Sequence, residues 1–438
     1  MKLRTGNSDE LLASILGLEY HQLVSEYVTS VKTAFEKKVL PSYFGIYSTT
    51  REIIQSRTSE VAKKILDASN EQLIIICDGT YIRHQKSSNN IYQKKSYSGQ
   101  KKTPLCKPFT ICTTDGYVID MVGPFNANLN DASIMKKIMS DKNGLSKLLK
   151  PGDIVVVDRG FRDIVNDLEG KGLNVLMPAL KGNRAQLDTT EANKSRVVTK
   201  VRWVVESVHG IIKQKYRLLD HKVDNKILPN IGSLCRIACF LNNKYGRRLL
   251  SDTNNTDAII THLKTKSDMT VNNMAQLVEE NGWIRKKTIF KNISSNDLLD
   301  FPELTQDDLH IFFGGSYQLK QSICYLAELQ NPDGSINIEY LKENEILRIH
   351  IKSRHINKKT YHIFIRYIPN QNNYASITDH YCTCPNGNRT AGCCSHIAAV
   401  IYYARYISRI IKPAEILTNI FDCFVDNLTV INENSDED

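Results

Sequence analysis

The sequence predicts an α/β fold. It reads as a mixed sheet with helices on its faces, preceded by a helical region and followed by a small β module built around zinc. Three observations predict it. Two short apolar runs, IIICDGTYI at 74–82 and DIVVVDRGF at 153–161, each end on an aspartate and read as buried central strands. Between them, PFTICTTDG and YVIDMVGP are joined at Asp115-Gly116, a strong hairpin signal. Far downstream, Cys382, Cys384, Cys393 and Cys394 crowd beside His396.

A chain of 438 residues exceeds one ordinary core, so two or three domains are expected. With 41% hydrophobic and 24% charged residues, the composition is that of a globular protein, not of a disordered or membrane-embedded one. No apolar run reaches the roughly 20 residues of a membrane span. The opening MKLRTGNSDE lacks the apolar segment of a secretory signal, which leaves cytosol or nucleus as the expected compartment. A net charge of +10 points to a polyanionic partner. Without an export signal the eleven cysteines do not suggest disulfides. Cys77, Cys106, Cys112, Cys235, Cys239 and Cys324 lie in apolar segments and read as small buried hydrophobes.

Residues 1–70 read as a helical region. Asn7 or Ser8 caps a first helix that buries Leu11, Leu12, Ile15 and Leu16, and Gly17 ends it. A second helix from near Tyr20 buries Leu23, Val24, Tyr27, Val28, Val31 and Phe35. Helix, glycine turn and longer helix suit a helix-turn-helix DNA-binding unit; a plain helical bundle is the alternative. Residues 71–250 form the α/β domain. Within it, 83–103 reads as a basic loop, whose Lys94, Lys95, Lys101 and Lys102 alternate with Tyr92 and Tyr97 and suit a phosphate backbone. Asp131 reads as a cap of the next helix, and NVLMP at 174–178 as a further strand. One helix then runs from near Thr190 to Leu219. In it Val201, Val205, Val208 and Ile212 make an apolar stripe, and Arg202, Glu206, His209 and Lys213 a polar one beside it. Residues 220–250 continue helically and pack back on this core.

SDTNNTD at 251–257 reads as a linker, and 251–310 as a helical connector. Residues 311–412 combine a β meander, turning at places such as Pro332-Asp333-Gly334, with the cysteine cluster. Cys382, Cys384, Cys394 and His396 supply four ligands for one tetrahedral, structural zinc ion, with Cys393 as the spare. Residues 413–438 end in the acidic NENSDED tail.

Asp78 and Asp158 close neighbouring strands, and Glu206 comes from a helix packed on the sheet. Three hard oxygen donors of this kind can hold two divalent ions about 3.5–4 Å apart, which suits phosphoryl displacement. Mg²⁺, or Mn²⁺, fits better than zinc, which favours nitrogen and sulfur.

At these residues the sequence resembles the DDE transposases, specifically the Harbinger-like group related to bacterial insertion-sequence transposases. The resemblance covers 72–219. It rests on Asp78-Gly79-Thr80, Ser96 to Lys102, Asn130-Asp131, Asp158-Arg159-Gly160-Phe161 and the helix with Glu206. Arg202, Glu206 and Lys213 match the last three positions of the Tyr-x2-Arg-x3-Glu-x6-Lys signature, while Thr199 stands at the tyrosine position. The resemblance implies an RNase H-like catalytic domain with Asp78, Asp158 and Glu206 as the metal-binding triad. It also implies a nuclear location in a eukaryotic host, and a cytoplasmic one otherwise. Arg202 and Lys213 would contact DNA phosphates near the cut, with Asp131 as a rival for the second aspartate. Residues 380–406 are similar to the SWIM zinc finger, Cys-x-Cys-xn-Cys-x-His.

The expected function is a DNA transposase that cleaves element ends and joins the 3′ hydroxyl to target DNA, acting on double-stranded DNA as a dimer or larger assembly. The alternatives are a transposase-derived DNA-binding protein that no longer cuts, and a non-transposing endonuclease.

Overall fold

The structure is a computed structural model that describes residues 1–249, 255–286, 289–293, 298, 300–329, 336–354, 356 and 358–407. The first part of the expected linker, the turn at Pro332-Asp333-Gly334 and the acidic tail lie outside the described residues. The chain divides into two compact units, one of residues 1–178 and 197–251, the other of 179–196 and 252–438.

The first unit is built on a seven-stranded mixed sheet: β1 (Ile74–Gly79), β2 (Ile82–Arg83), β3 (Tyr97–Ser98), β4 (Thr103–Cys112), β5 (Val118–Asn126), β6 (Ile154–Val156) and β7 (Asn174–Leu176). β4 pairs antiparallel with β1 and β5, whereas β6 pairs parallel with β1 and β7. An antiparallel trio followed by two parallel strands makes the expected mixed sheet. The β4–β5 connection turns where expected. Gly116 takes a left-handed backbone (φ 82°), and the Asp115 carboxylate accepts from the Tyr117 amide at 2.9 Å.

Alternation along β1 decides what each face meets. Ile75 and Cys77 pack under the Asp131–Ser140 helix with Ile134, Met135, Ile138, Val155 and Val157. The opposite face carries the helices Thr189–Lys215 and Ile231–Tyr245, whose Val208, Ile212, Leu234 and Ile237 pack on Val118 and Met121. The long helix ends at Lys215, short of Leu219. Tyr216 leaves helical backbone (φ −122°, ψ 81°) and a 3₁₀ turn follows at Arg217–Leu219. That change lets Tyr216, Leu218 and Leu219 all be buried, which one helical face could not do.

Two readings of the first hundred residues need correction. Ser8 caps the Asp9–Leu16 helix and Gly17 ends it, but the second helix spans Gln22–Ala34 and buries only Val24 fully. Leu11, Ile15, Leu16, Tyr27 and Val31 are exposed, because the pair packs through a small one-sided core of Leu12, Ala13 and Val24. The basic stretch 83–103 is not a loop throughout: Asn89 caps a helix at Asn90–Ser96.

In the second unit, β8 (Lys291–Ile293), β9 (Ile338–Leu341), β10 (Ile346–Lys352), β11 (Thr360–Tyr367) and β12 (Ile377–Cys382) form an antiparallel meander in that order. β8 extends it from the stretch expected to be helical. The Ser395–Ile407 helix packs Ile397, Ala398 and Ile401 into its core. Cys324, expected to be buried, is exposed on the Ser316–Leu329 helix. Among the described residues, no helix is long and apolar enough to cross a membrane.

Candidate active site and zinc centre

Parallel register places the two aspartates together. Ile76 of β1 stands beside Val156, the last residue of β6, and two residues further on come Asp78 within β1 and Asp158 just past the end of β6, where it caps a 3₁₀ turn. Ile75, Cys77, Val155 and Val157 face the Asp131–Ser140 helix, so Asp78 and Asp158 belong to the other face. That is the face covered by the helix bearing Glu206.

Two side chains of that helix reach the same row. Arg202 lies between the carboxylates, with one guanidinium nitrogen 4.0 Å from Asp78 Oδ2 and the other 2.5 Å from Glu206 Oε1. One turn beyond Glu206, His209 Nε2 meets Thr110 Oγ1 at 2.9 Å, and Thr110 is the direct antiparallel partner of Asp78. His209 therefore does not belong to an exposed polar stripe. Burial, and to a lesser degree the nearby Lys213 charge, push its pKa down to about 3, so it is neutral. The helical wheel explains the difference, since His209 lies one turn from the buried Val205.

Asp131 enters from the opposite side. The helix cap there is Asn130, whose side chain accepts from the Ser133 amide at 2.8 Å, so the capping role expected of Asp131 belongs to its neighbour. Lys107, buried within β4, places its ammonium 3.6 Å from Asp131 Oδ1 and over the Tyr81 ring. Lys107, Tyr81 and His209 were not singled out as site residues. A lone lysine in the apolar strand LCKPFTIC was the available signal.

Crowded acids in low dielectric resist ionisation. Burial, then the Asp158 charge, raise Asp78 to about 7; Asp131 adds to this and Arg202 opposes it. Asp131 is raised as well, by burial foremost, with Lys107 opposing. Asp158 accepts from the Gly160 amide at 2.7 Å. Glu206 remains half-exposed. Among the described residues, neither Asp78, Asp158 and Glu206 nor Asp78, Asp131 and Asp158 form a metal-sized cluster of the kind the Cys382 group makes. The structure thus brings Asp78 and Asp158 to one edge and joins Glu206 to it through Arg202. The donor set, all carboxylate oxygen, fits hard divalent cations.

Of the basic residues, Lys101 comes to this edge, its ammonium over the Tyr81 ring that Lys107 also faces. Lys94, Lys95, Lys101 and Lys102 are exposed. Lys213 is half-buried, and burial lowers its pKa; the charges of Arg83 and Lys101 act on it in the same direction. Arg83 thereby joins the cationic group without having been foreseen.

The zinc centre is fully formed. One ligand atom from each of Cys382, Cys384, Cys394 and His396 lies within 4.8 Å of the other three, and all four residues are buried. Cys393 is buried but outside that group. Gln186 braces the ligand loop by donating to the carbonyls of Cys382 and Cys384, each at 2.7 Å, and accepts from the Tyr381 hydroxyl. Burial opposes ionisation of Cys394, yet hydrogen bonds from Cys382 and Cys384 hold this thiol well below its ordinary value. Four closed sulfur and nitrogen donors fit structural zinc.

Residues 77–243 match the family model described as DDE superfamily endonuclease, a span that includes all three triad positions. Residues 364–405 match the SWIM zinc finger and include the four sulfur and imidazole ligands. Neither a curated protein nor a solved structure matches the chain. The chain therefore carries a DDE superfamily endonuclease domain and a SWIM zinc finger.

Proposed function

We propose that the protein is a metal-dependent DNA transposase that cuts phosphodiesters at element ends and transfers the freed 3′ hydroxyl into target DNA. The observation that carries this reading is the pair Asp78 and Asp158 at the ends of parallel neighbours β1 and β6, close enough for the charge of one to raise the other and linked to Glu206 through Arg202, inside a DDE superfamily endonuclease domain. Asp78, Asp158 and Glu206 would hold two divalent cations, Mg²⁺ or Mn²⁺. When bound, such ions activate the attacking oxygen and stabilise the leaving one. Arg202, beside Asp78 and Glu206, offsets their charge and would contact a phosphate beside the cut. Lys213, Lys101 and Lys102 line the approach, and Lys94 and Lys95 extend it, each contributing charge to a phosphate backbone. The SWIM module contributes a zinc-stabilised surface for DNA or a partner chain. Two ends must be held together during transposition, so at least two copies act on DNA, in the nucleus where the host is eukaryotic.

Supercoiled plasmid incubated with Mg²⁺ or Mn²⁺ tests the reading. Wild type is expected to nick it and Asp158→Asn is not. Equal nicking by both proteins, or none by either with cognate ends supplied, would count against catalysis and leave a DNA-binding protein that does not cut. Cleavage without strand-transfer products from pre-cut end oligonucleotides would identify a non-transposing endonuclease.

A further inference from the structure

Asp131 is the acidic side chain near the strand ends whose place the helix does not explain. Asn130 already caps that helix, so the first-turn carboxylate is free to point elsewhere. It points into the gap between the two aspartate-bearing segments. A methyl group built on Gly79, the residue after Asp78, would fall 2.7 Å from Asp131 Oδ1. One built on Gly160, two residues after Asp158, would fall 3.2 Å from Asp131 Oδ2 and 2.9 Å from Asp158 Oδ1. Two positions that lack a Cβ are what admit the carboxylate. A side chain at Gly79 would displace it, and one at Gly160 would press on Asp158 first and crowd Asp131.

The carboxylate is also unfinished. Asp131 Oδ1 is buried and has no hydrogen-bond partner among the described residues. Lys107 meets it as an ion pair at 3.6 Å, while the same ammonium donates to the Leu129 carbonyl at 2.8 Å. A carboxylate oxygen buried this far and reached only by an ion pair is costly to ionise, and a hard cation would lower that cost further. Glu206, by contrast, is half-exposed and held by Arg202. Asp131 is thus lodged in the gap beside Asp78 and Asp158 while the triad glutamate lies further out.

We propose that Asp131 is a fourth carboxylate ligand of the cation site, contributing Oδ1 beside Asp78 and Asp158, with Lys107 balancing its charge when no cation is bound. This rests on the metal-dependent reading above and deepens it. A divalent ion that keeps several waters accepts one more carboxylate readily.

The test measures binding and does not depend on turnover. Mn²⁺ is titrated into the full-length, zinc-loaded protein and free Mn²⁺ is followed by its electron paramagnetic resonance signal. Wild type is compared with Asp158→Asn, Asp131→Asn and Gly79→Ala. The last keeps every carboxylate and displaces only the Asp131 side chain, so it serves if Asp131→Asn fails to fold. Asp131→Asn and Gly79→Ala are each expected to weaken Mn²⁺ binding at least tenfold, as Asp158→Asn does. If both bind Mn²⁺ like wild type while Asp158→Asn does not, Asp131 is no ligand and the broader reading stands. If Asp158→Asn also binds like wild type, the cation site itself is wrong and this inference falls with it.

Discussion

Asp78 is a charge that the fold makes expensive until something cationic arrives. Its folded pKa of about 7 lies above the ordinary 3.8, raised by burial and then by Asp158. A carboxyl that holds its proton more tightly when folded favours the folded state at low pH. That contribution is complete below about pH 4 and is lost as pH climbs towards about 7. In chelator at about pH 7.5, Asp78→Asn is therefore expected to melt at a higher temperature than wild type, and the gap should close on acidification. Adding Mn²⁺ should raise the wild-type midpoint and leave that of the variant nearly unchanged. A wild-type midpoint equal to or above that of Asp78→Asn in chelator would show that the ionised carboxylate is already compensated.

At the scale of elements, a partly buried hydrogen bond helps set the long helix against the sheet. His209 meets Thr110 directly across β4 from Asp78, and this fixes how Glu206, one turn earlier, addresses the strand ends. Removing a buried hydrogen-bond partner costs about 1–3 kcal/mol. His209→Ala is expected to lower stability by about that amount in urea titrations, and His209→Gln, which can present a nitrogen near the same place, should recover most of it. Equal losses in the two variants would show that packing, not the hydrogen bond, is what matters. Much of this architecture was legible beforehand. β1 and β6 announce themselves as the short apolar runs IIIC and IVVV, each closed by an aspartate, Asp115-Gly116 declares its hairpin, and Cys-x-Cys with Cys-x-His declares the metal centre. What stayed hidden depends on contacts between distant segments. The fit of Asp131 between Gly79 and Gly160, the burial of Lys107 and the tether at His209 each require two or more segments in register, which local periodicity does not encode. The exposed Leu11 and Ile15 were misread for the same reason, since a helical stripe shows which face is apolar and not whether anything covers it.

For the whole molecule, charge and metal give separate handles. If Lys94, Lys95, Lys101 and Lys102 meet phosphates, replacing each with Gln should flatten the plot of log binding constant against log salt by about 0.9 per lost contact. An unchanged slope across all four replacements would place the DNA elsewhere. The zinc centre makes a different prediction. Its four ligands sit within the main core of the second unit, with Cys382, Cys384 and Cys394 packed beside Ile363, Ile365 and Ile397. Cys394→Ser should abolish bound zinc by elemental analysis and strip amide-exchange protection from β10, β11 and β12. Full protection in zinc-free protein would show that the meander stands without its metal.

The division of the chain adds one practical consequence. Residues 179–196 belong with 252–438, while 197–251 return to the first unit, so the helix Thr189–Lys215 changes allegiance partway along. Neither unit is an unbroken stretch of sequence. A shortened gene stopping after codon 251 would still encode Asn193 and Arg196, yet it would discard the carbonyls of Lys266, Met269 and Phe313 that these two side chains engage. Such a product would carry orphaned donors in the opening turns of that helix, and an inert fragment would say nothing about what the intact protein can do.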